Sequence, residues 1–146
     1  MDKKLSDLLT LFSKGERPFE TIVLDSLTTM SENVMNYLIK KNPGIKRMTI
    51  NKAQVPGLQD YGVFKTYMRE LITKVLAFPC NVVFTAHLET KRDDTSGRLI
   101  QRPLMPGALQ NSLDIYFEEV YLAEVVENKY VATTRTDSNK FNCRTL

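Results

Sequence analysis

The sequence predicts an α/β fold, in which a three-layer core with a mainly parallel sheet is followed by a C-terminal antiparallel hairpin. Two apolar runs have the length of strands and no polar alternation, which is typical of parallel strands covered on both faces. They are "TIVL" from residue 21, and "NVVFTAH" over residues 81–87, in which Val82, Val83 and Phe84 lead to His87. Towards the end of the chain, side-chain character alternates on both sides of Glu127 and Asn128, which indicates a β-hairpin.

Amphipathic helical segments surround these strands. The periodicity of apolar residues predicts helices over residues 4–12, from about residue 29 to 40, and from about residue 60 to 78. The stretch between the last two is rich in helix breakers, and we expect a loop there. The polar segment 88–105 predicts a hairpin that turns at "DDTSG", and "PGALQNSL" after it predicts the start of a further helix.

Length and composition predict one soluble domain. The chain has 146 residues, of which 42% are hydrophobic, and this is enough for a single core over residues 1–146. Cys80 and Cys143 are far apart and lie in no CxxC pair, which speaks against a disulfide framework or a zinc site and favours a reducing compartment. Without an apolar run of ~18 residues or a signal peptide, we expect a cytoplasmic protein.

Asp25 directly follows the first apolar run, and the hydroxyl of Ser26 comes next. The carboxyl ends of parallel strands form the edge at which open α/β sheets bind their ligands. Because Mg²⁺ prefers hard oxygen ligands and keeps several waters, one carboxylate beside one hydroxyl is sufficient to hold it. We therefore interpret Asp25 as a metal ligand and both residues as cofactor-binding. The alternative is that they only cap the following helix, since Asp and Ser are common N-cap residues.

His87 is the polar residue at the end of the second apolar run. If the two strands are adjacent and parallel, His87 and Asp25 lie at the same edge of the sheet. A histidine there could orient a γ-phosphate or report its presence, and we interpret it as a candidate catalytic and cofactor-binding residue. The alternative is a structural histidine with no part in binding.

Four segments of the chain carry a resemblance to a known family. In order, they are "TIVLDSLTTM", "DYGVFKTYMRELI", "NVVFTAHLET" and "PLMPGALQNSLDIYFEEVYLAEV", and they span roughly residues 18–146. In this set the chain resembles phage-encoded RecA-like P-loop ATPases of the AAA/RecA type, in particular the Sak-type single-strand annealing recombinase group. The resemblance implies a RecA-like core with ATP and Mg²⁺ as cofactors, Asp25 as the Walker B aspartate and His87 as the γ-phosphate sensor.

The chain departs from this family at one motif. The sequence contains no GxxxxGK[ST], the loop whose backbone N–H groups surround phosphates and whose Lys reaches the β- and γ-oxygens. In RecA-like folds that loop precedes the Walker B strand. We expect either a fragment of a longer ATPase, truncated at its N-terminal P-loop side, or a reduced relative whose N-terminal helix covers the sheet edge. The isolated chain is therefore predicted not to hydrolyse ATP.

Two basic segments are candidates for contact with single-stranded DNA. The first, residues 40–52, holds five basic residues and no acid, and the second is the segment 88–105. In RecA-like recombinases the loops after the equivalent strands line the DNA channel, and cationic loops suit contact with a phosphate backbone. The alternative is that both are ordinary solvated loops. The predicted contacts are Lys40, Lys41, Lys46, Arg47, Lys52, Arg92, Arg98 and Arg102.

Together these observations predict a phage nucleotide-binding protein of the ATPase class that acts in DNA recombination or replication. We expect it to bind Mg-ATP, weakly or only in a longer form, and single-stranded DNA, in the cytoplasm of an infected bacterial host. The partners considered are a second copy of the chain, whose nucleotide Lys140 and Arg144 could reach, and a phage recombination protein. The alternative is a non-catalytic interaction or assembly module that retains the fold without ATP hydrolysis.

Overall fold

The computed structural model describes residues 2–92, 94–97 and 99–133, and the chain divides into two compact units, residues 1–86 and 87–146. The elements of the first unit are α1 (Asp2–Ser13), β1 (Thr21–Leu24), α2 (Leu27–Lys41), β2 (Thr49–Ile50), β3 (Ala53–Gln54), α3 (Leu58–Leu76) and β4 (Asn81–Phe84). Those of the second are β5 (Leu88–Arg92), β6 (Leu99–Pro103), two 3₁₀ helices (Ala108–Asn111 and Leu113–Tyr116), β7 (Leu122–Val126) and β8 (Lys129–Thr133). No helix within the described ranges is long and apolar enough to cross a membrane.

The first unit contains the predicted parallel pair of strands. β1 pairs with β4 in parallel, with Thr21 opposite Asn81 and Leu24 opposite Phe84. At the carboxyl end, the amide of Thr85 donates to the carbonyl oxygen of Leu24 at 3.1 Å, so the pairing continues one residue beyond β4. Both strands end at the same edge, which confirms that the two apolar runs are adjacent and parallel.

The two faces of this pair are not equally covered. Along both strands exposed and half-buried side chains alternate, and Val23 and Val83 are 60% and 45% exposed. The expectation of strands covered on both faces is therefore wrong for the residues that the structure describes. The sequence shows no alternation because the exposed positions at the strand centres carry valine instead of a polar residue.

Two helices, α2 and α3, pack against each other and supply most of the core of the first unit. Their buried apolar residues recur at helical spacing, which places them on one face of each helix. They are Leu27, Val34, Met35, Leu38 and Ile39 in α2, and Phe64, Met68, Leu71, Ile72 and Val75 in α3. Phe12 of α1 lies edge-on to Phe78, with ring centroids 5.4 Å apart, and attaches α1 to the end of α3.

The boundaries of α2 and of the segment after it differ from the predicted ones. α2 begins at Leu27 because the hydroxyl oxygen of Ser26 lies 3.4 Å from the amide of Thr29 and caps the helix. The stretch expected to be a loop contains the short hairpin β2–β3. Its turn residues, Asn51 and Lys52, have φ angles of 49° and 66°, the left-handed geometry that two-residue hairpin turns require.

The second unit contains two antiparallel hairpins. β5 pairs with β6, and β7 with β8 around Glu127 and Asn128, which confirms both predicted hairpins. The helix predicted between them is instead two 3₁₀ helices of four residues each, because Ser112 leaves helical geometry with φ −138°. The buried apolar residues are Met105, Leu109, Leu113 and Leu122. The α/β class, with a parallel pair and a terminal antiparallel hairpin, is confirmed.

Candidate functional site

Asp25 and Thr85 meet at the carboxyl edge of the parallel pair. Because Leu24 lies opposite Phe84, the residues that follow them also lie opposite each other. The hydroxyl of Thr85 donates a short hydrogen bond to Oδ1 of Asp25, and both residues are exposed. The edge therefore presents an oriented carboxylate to solvent.

Ser26 connects this edge to the start of α2. The peptide bond between Asp25 and Ser26 is cis. The Ser26 hydroxyl lies 3.4 Å from both the amide and the hydroxyl of Thr29, and the amide of Leu27 donates to the carbonyl oxygen of Thr85 at 2.8 Å. The first turn of α2 is thus fixed to the ends of both strands. Ser26 is the capping residue, whereas the carboxylate of Asp25 is bonded to Thr85.

A cavity of about 690 Å³ opens beside this edge. Its volume is within the range of small-molecule sites in proteins. Asp25 and Ser26 line it at the sheet edge, and two tyrosines line it further along the helices. The lining residues are Asp25, Ser26, Thr29 and Asn33, together with Val23, Leu24, Met30, Val34, Tyr37 and Tyr67.

The aromatic end of the cavity is formed by one tyrosine from each of the two core helices. The ring centroids of Tyr37 in α2 and Tyr67 in α3 are 6.1 Å apart, and the rings are tilted by 47°. The Lys41 ammonium lies 5.5 Å from the centroid of Tyr37, close enough for a cation–π contact. Tyr37 is 44% exposed, so its ring is not committed to the core.

His87, the second residue predicted for the nucleotide site, belongs to the second unit. It immediately precedes β5, and its carbonyl oxygen accepts a hydrogen bond of 2.7 Å from the amide of Leu104, which extends the pairing of β5 with β6. Its side chain is exposed. The role of His87 as a γ-phosphate sensor stays a prediction.

Arg47, predicted to contact DNA, is instead a buried connector between α2 and α3. Its Nε and Nη2 donate to Oδ2 and Oδ1 of Asp60 at 2.8 and 2.7 Å, and the side chains are 0% and 1% exposed. Nη1 donates to the carbonyl oxygens of Asn42 and Ile39, at the end of α2, at 2.9 and 3.3 Å. A guanidinium with these partners has no surface to offer a phosphate, so the DNA-contact prediction for Arg47 is wrong.

The Arg47 guanidinium also controls the charge of Asp60. Its hydrogen bonds lower the pKa of the Asp60 carboxyl below the usual value, and a hydrogen bond of 2.8 Å from the Gly57 amide acts in the same direction, whereas burial opposes both. The Asp60 carboxylate in turn raises the pKa of Arg47. This ion pair joins the end of α2 to the start of α3.

The other predicted DNA contacts lie on the surface or outside the described residues. In the first unit, Lys40, Lys41, Lys46 and Lys52 are exposed. In the second unit, Arg92 donates from Nε to the carbonyl oxygen of Gly97 at 3.2 Å, and Arg102 is half-buried on β6. Their contact with DNA stays a prediction. Arg98, Lys140 and Arg144 lie outside the described residues.

The oxygen atoms at the sheet edge suit a hard cation such as Mg²⁺. Among the residues that the structure describes, no group of three or more His, Cys, Asp or Glu side chains could hold a metal ion, so the ligand set typical of zinc is not found there. One carboxylate with the hydroxyls of Ser26 and Thr85 nearby matches the preference of Mg²⁺ for hard oxygen atoms and retained water. Asp25 is the residue that would hold it.

Sequence reasoning missed Thr85 and the aromatic residues of the cavity. The signal for Thr85 was available, because three apolar residues in a row are followed directly by a polar residue in both strands, by Asp25 in the first and by Thr85 in the second. In register, parallel strands bring these two positions together. Tyr37 and Tyr67 had no comparable signal, since aromatic residues at helical spacing are more often part of a core.

The geometry defines an α/β protein with a cavity beside the carboxyl edge of its parallel strands, the edge at which open α/β sheets bind their ligands. A family model described as "AAA domain" matches residues 3–142. Since the match covers nearly the whole chain, the protein belongs to this family of AAA-type P-loop ATPases and is a nucleotide-binding protein of the ATPase class. The nucleotide of the family is ATP, generally bound with Mg²⁺. Comparisons with curated proteins and with solved structures gave no match.

Proposed function

We propose that this protein is a RecA-like phage protein of the Sak-type recombinase group that acts in DNA recombination or replication, binding Mg-ATP and single-stranded DNA. The observation that carries the nucleotide part is the hydrogen bond from Thr85 to Asp25 at the shared edge of two parallel strands, beside a cavity. In this proposal Asp25 is the Walker B aspartate and His87 senses the γ-phosphate. Mg-ATP binds weakly, or tightly only in a longer form of the protein.

Each residue at the edge has a task in this proposal. Mg²⁺, when bound, neutralises the charge of phosphate oxygens. Asp25 holds the hydrated cation, and Thr85 fixes the orientation of the carboxylate through one of its oxygens. Ser26 stabilises the first turn of α2, and the N–H groups at the start of a helix favour negative charge at this end of the cavity.

Weak binding and negligible hydrolysis follow from the absence of GxxxxGK[ST] in the sequence. Without that loop, no ring of backbone N–H groups encloses the phosphates and no lysine reaches the β- and γ-oxygens. The cavity and the metal ligand provide contacts at two ends of a nucleotide, and these contacts alone support modest affinity.

A titration with Mg-ATP tests the nucleotide part. A ligand at its Kd adds only about 0.4 kcal/mol to the free energy of unfolding. We therefore expect micromolar Mg-ATP to shift the Tm by less than about 1 °C, with a larger, saturable shift at millimolar Mg-ATP. The matched control is Asp25→Asn, which should lose the part of the shift that requires Mg²⁺. A shift of several degrees at micromolar ATP would contradict the proposed weak binding, and an equal shift in Asp25→Asn would contradict the role of Asp25.

The DNA part of the proposal rests on four exposed lysines of the first unit. Lys40 and Lys41 end α2, and Lys46 and Lys52 lie in the connection to α3. Flexible cations of this kind bind phosphates through charge alone, without selecting a sequence. In this proposal the single strand follows these lysines, with Arg92, Arg98 and Arg102 as further contacts.

The second candidate function is an interaction or assembly module. It is favoured by the absence of GxxxxGK[ST] and by one face of the β7–β8 hairpin. The pairing of Val125 with Tyr130, and of Ala123 with Ala132, puts four uncharged residues on that face. Val125 is 61% and Tyr130 95% exposed. If the titration detects no Mg-ATP binding at any concentration, this function replaces the first one.

A further inference from the structure

The cavity in the first unit follows one face of α2. Its lining residues on this helix include Thr29, Asn33 and Tyr37, which are four residues apart and therefore lie above one another. At a rise of 1.5 Å per residue, Thr29 and Tyr37 are about 12 Å apart along the helix axis. The cavity runs along α2 over this distance. The cavity is thus an elongated groove that begins at Asp25 and ends at two tyrosines.

We infer that the aromatic end of this groove binds a nucleobase by stacking on Tyr37 and Tyr67. Both rings line the groove, and Tyr37 is 44% exposed, which leaves aromatic surface in contact with water. Stacking on aromatic side chains is tolerant of the base, since every base has a π-face. The nucleobase site is separate from the metal ligand, Asp25, at the other end.

Two polar groups favour a nucleobase over a purely apolar ligand. Asn33 lines the groove between its two ends, and its amide offers both donors and an acceptor, the groups that read the edge of a base. Lys41 places an ammonium 5.5 Å from the ring centroid of Tyr37, where the backbone phosphate of a nucleotide within a single strand would lie. A nucleobase offers hydrogen-bond partners to the Asn33 amide, and a phosphate offers an ion pair to Lys41, whereas an apolar ligand offers neither.

The base can come from two sources that share this chemistry. One is a free nucleotide, whose phosphates extend along the groove towards Asp25; this source rests on the proposed nucleotide function. The other is one nucleotide of a single strand, whose backbone passes Lys40 and Lys41 at the end of α2. Stacking on Tyr37 and Tyr67 is the same in both cases.

The test measures binding of adenosine 5′-monophosphate without Mg²⁺ by isothermal titration calorimetry, with adenosine and ribose 5-phosphate as competitors. We expect adenosine to compete and ribose 5-phosphate, which lacks a base, to compete far less. Tyr37→Leu and Tyr67→Leu should each weaken binding roughly tenfold, whereas Tyr37→Phe, which keeps the ring, should bind like the wild type. Tyr130→Leu, at a 95% exposed site in the second unit, is the matched control and should bind unchanged.

Either of two results would overturn the inference. One is competition by ribose 5-phosphate as strong as that by adenosine. The other is unchanged binding in a Tyr37→Leu variant whose thermal unfolding matches that of the wild type. Tyr37 is the more exposed of the two tyrosines, so its replacement disturbs the fold less. Because this titration contains no Mg²⁺, a defect in the metal site cannot cause the loss expected in the tyrosine variants, so the two kinds of defect are separable.

A second set of ligands identifies the source of the base. If Mg-ATP binds more tightly than the monophosphate, and Asp25→Asn removes that gain, the groove serves a free nucleotide. If oligothymidylate binds more tightly than thymidine 5′-monophosphate, and Lys41→Ala removes that gain, the groove serves a single strand. With either source, Tyr37→Leu and Tyr67→Leu should also weaken binding of the longer ligand, and unchanged binding in both would overturn the nucleobase site.

Discussion

Two aspartates of the first unit stand near the starts of its two core helices and have opposite surroundings. Asp60, in the first turn of α3, is 1% exposed and accepts hydrogen bonds from Arg47 and Gly57. Asp25, just before α2, is exposed, accepts a hydrogen bond from Thr85 and lines a cavity. The first carboxylate is enclosed by protein donors, and the second faces open space.

This difference separates a structural charge from a candidate functional one. A buried carboxylate whose oxygens are all directed at donors stabilises the fold, and removing its partner leaves a charge without compensation. A carboxylate that is oriented by a single neighbour and open to solvent retains lone pairs for a ligand. Residue type alone does not make this distinction, because both sites contain the same side chain beside a helix start.

The largest expected effect is the loss of stability when the buried ion pair is broken. Arg47→Ala and Asp60→Ala should each lower the Tm by on the order of 10 °C, because each leaves one charge buried and unpaired. Asp25→Ala should change the Tm by less than about 2 °C. Thermal unfolding followed by circular dichroism measures all three. A Tm loss in Asp25→Ala as large as that in Asp60→Ala would remove the distinction between the two sites.

The double variant Arg47→Ala/Asp60→Ala tests whether the two side chains act as a pair. If they do, its loss in the free energy of unfolding should be smaller than the sum of the losses in the two single variants. Strict additivity would mean that Arg47 stabilises the protein through the carbonyl oxygens of α2 rather than through Asp60.

A smaller effect is expected in the dependence of stability on pH. The pKa of Asp60 is lower in the folded state than in the unfolded state. Its contribution to the free energy of unfolding is therefore fully present above about pH 4 and is lost as the pH falls through the pKa of the folded state. The Tm difference between the wild type and Asp60→Asn should therefore shrink below about pH 4. The matched control is Asp25→Asn. If the difference between wild type and Asp60→Asn is constant from pH 7 to pH 2, the ion pair does not hold the Asp60 pKa down.

The sequence predicts the parts of the fold that follow from local patterns. Helical periodicity, two apolar runs and the turn residues Glu127 and Asn128 were sufficient for the helices, the parallel pair and the terminal hairpin. The β2–β3 hairpin was missed because each strand has two residues, too short for a periodic signal. Exposure of Val23 and Val83 was missed because composition does not show what covers a strand.

The candidate site was predictable only in part. Asp25 and Ser26 follow from their place after an apolar strand, whereas Thr85 needs the register of two strands sixty residues apart in the chain. Arg47 was misassigned because its partner, Asp60, lies thirteen residues away in a different element, and only the packed structure brings the two together. A basic residue in a breaker-rich segment has the same sequence pattern whether it faces solvent or a buried carboxylate.

The exposed lysines of the α2–α3 connection differ from the buried arginine beside them in being open to a phosphate backbone. Binding to single-stranded oligonucleotides should weaken with salt, with a log–log slope on the order of −2 to −4. Lys46→Ala/Lys52→Ala should make that slope shallower by about 1.4, at about 0.7 for each phosphate contact, without lowering the Tm. Fluorescence anisotropy at several salt concentrations measures the slope.

Arg47 has to stay intact in this experiment, since its loss would weaken DNA binding by unfolding the connection. Asp25→Asn is the control, because it removes a metal ligand and no cation. If the wild type does not bind oligonucleotide at low salt, or if the lysine variant has the wild-type slope, this connection does not contact DNA.

The smallest expected effect on stability belongs to Thr85→Val, which keeps the shape of the side chain and removes its hydroxyl. Because Asp25 is exposed, water can replace the lost donor, so the free energy of unfolding should fall by less than about 1 kcal/mol. The affinity for Mg-ATP should nevertheless fall roughly tenfold, since the carboxylate is no longer held in one orientation. In an Asp25→Asn background the same substitution should have no further effect on that affinity, because the group that Thr85 orients for the metal is gone. If Thr85→Val lowers the Tm as much as Arg47→Ala does, the sheet edge is a structural site like that of Asp60, and Asp25 loses the feature that distinguishes it.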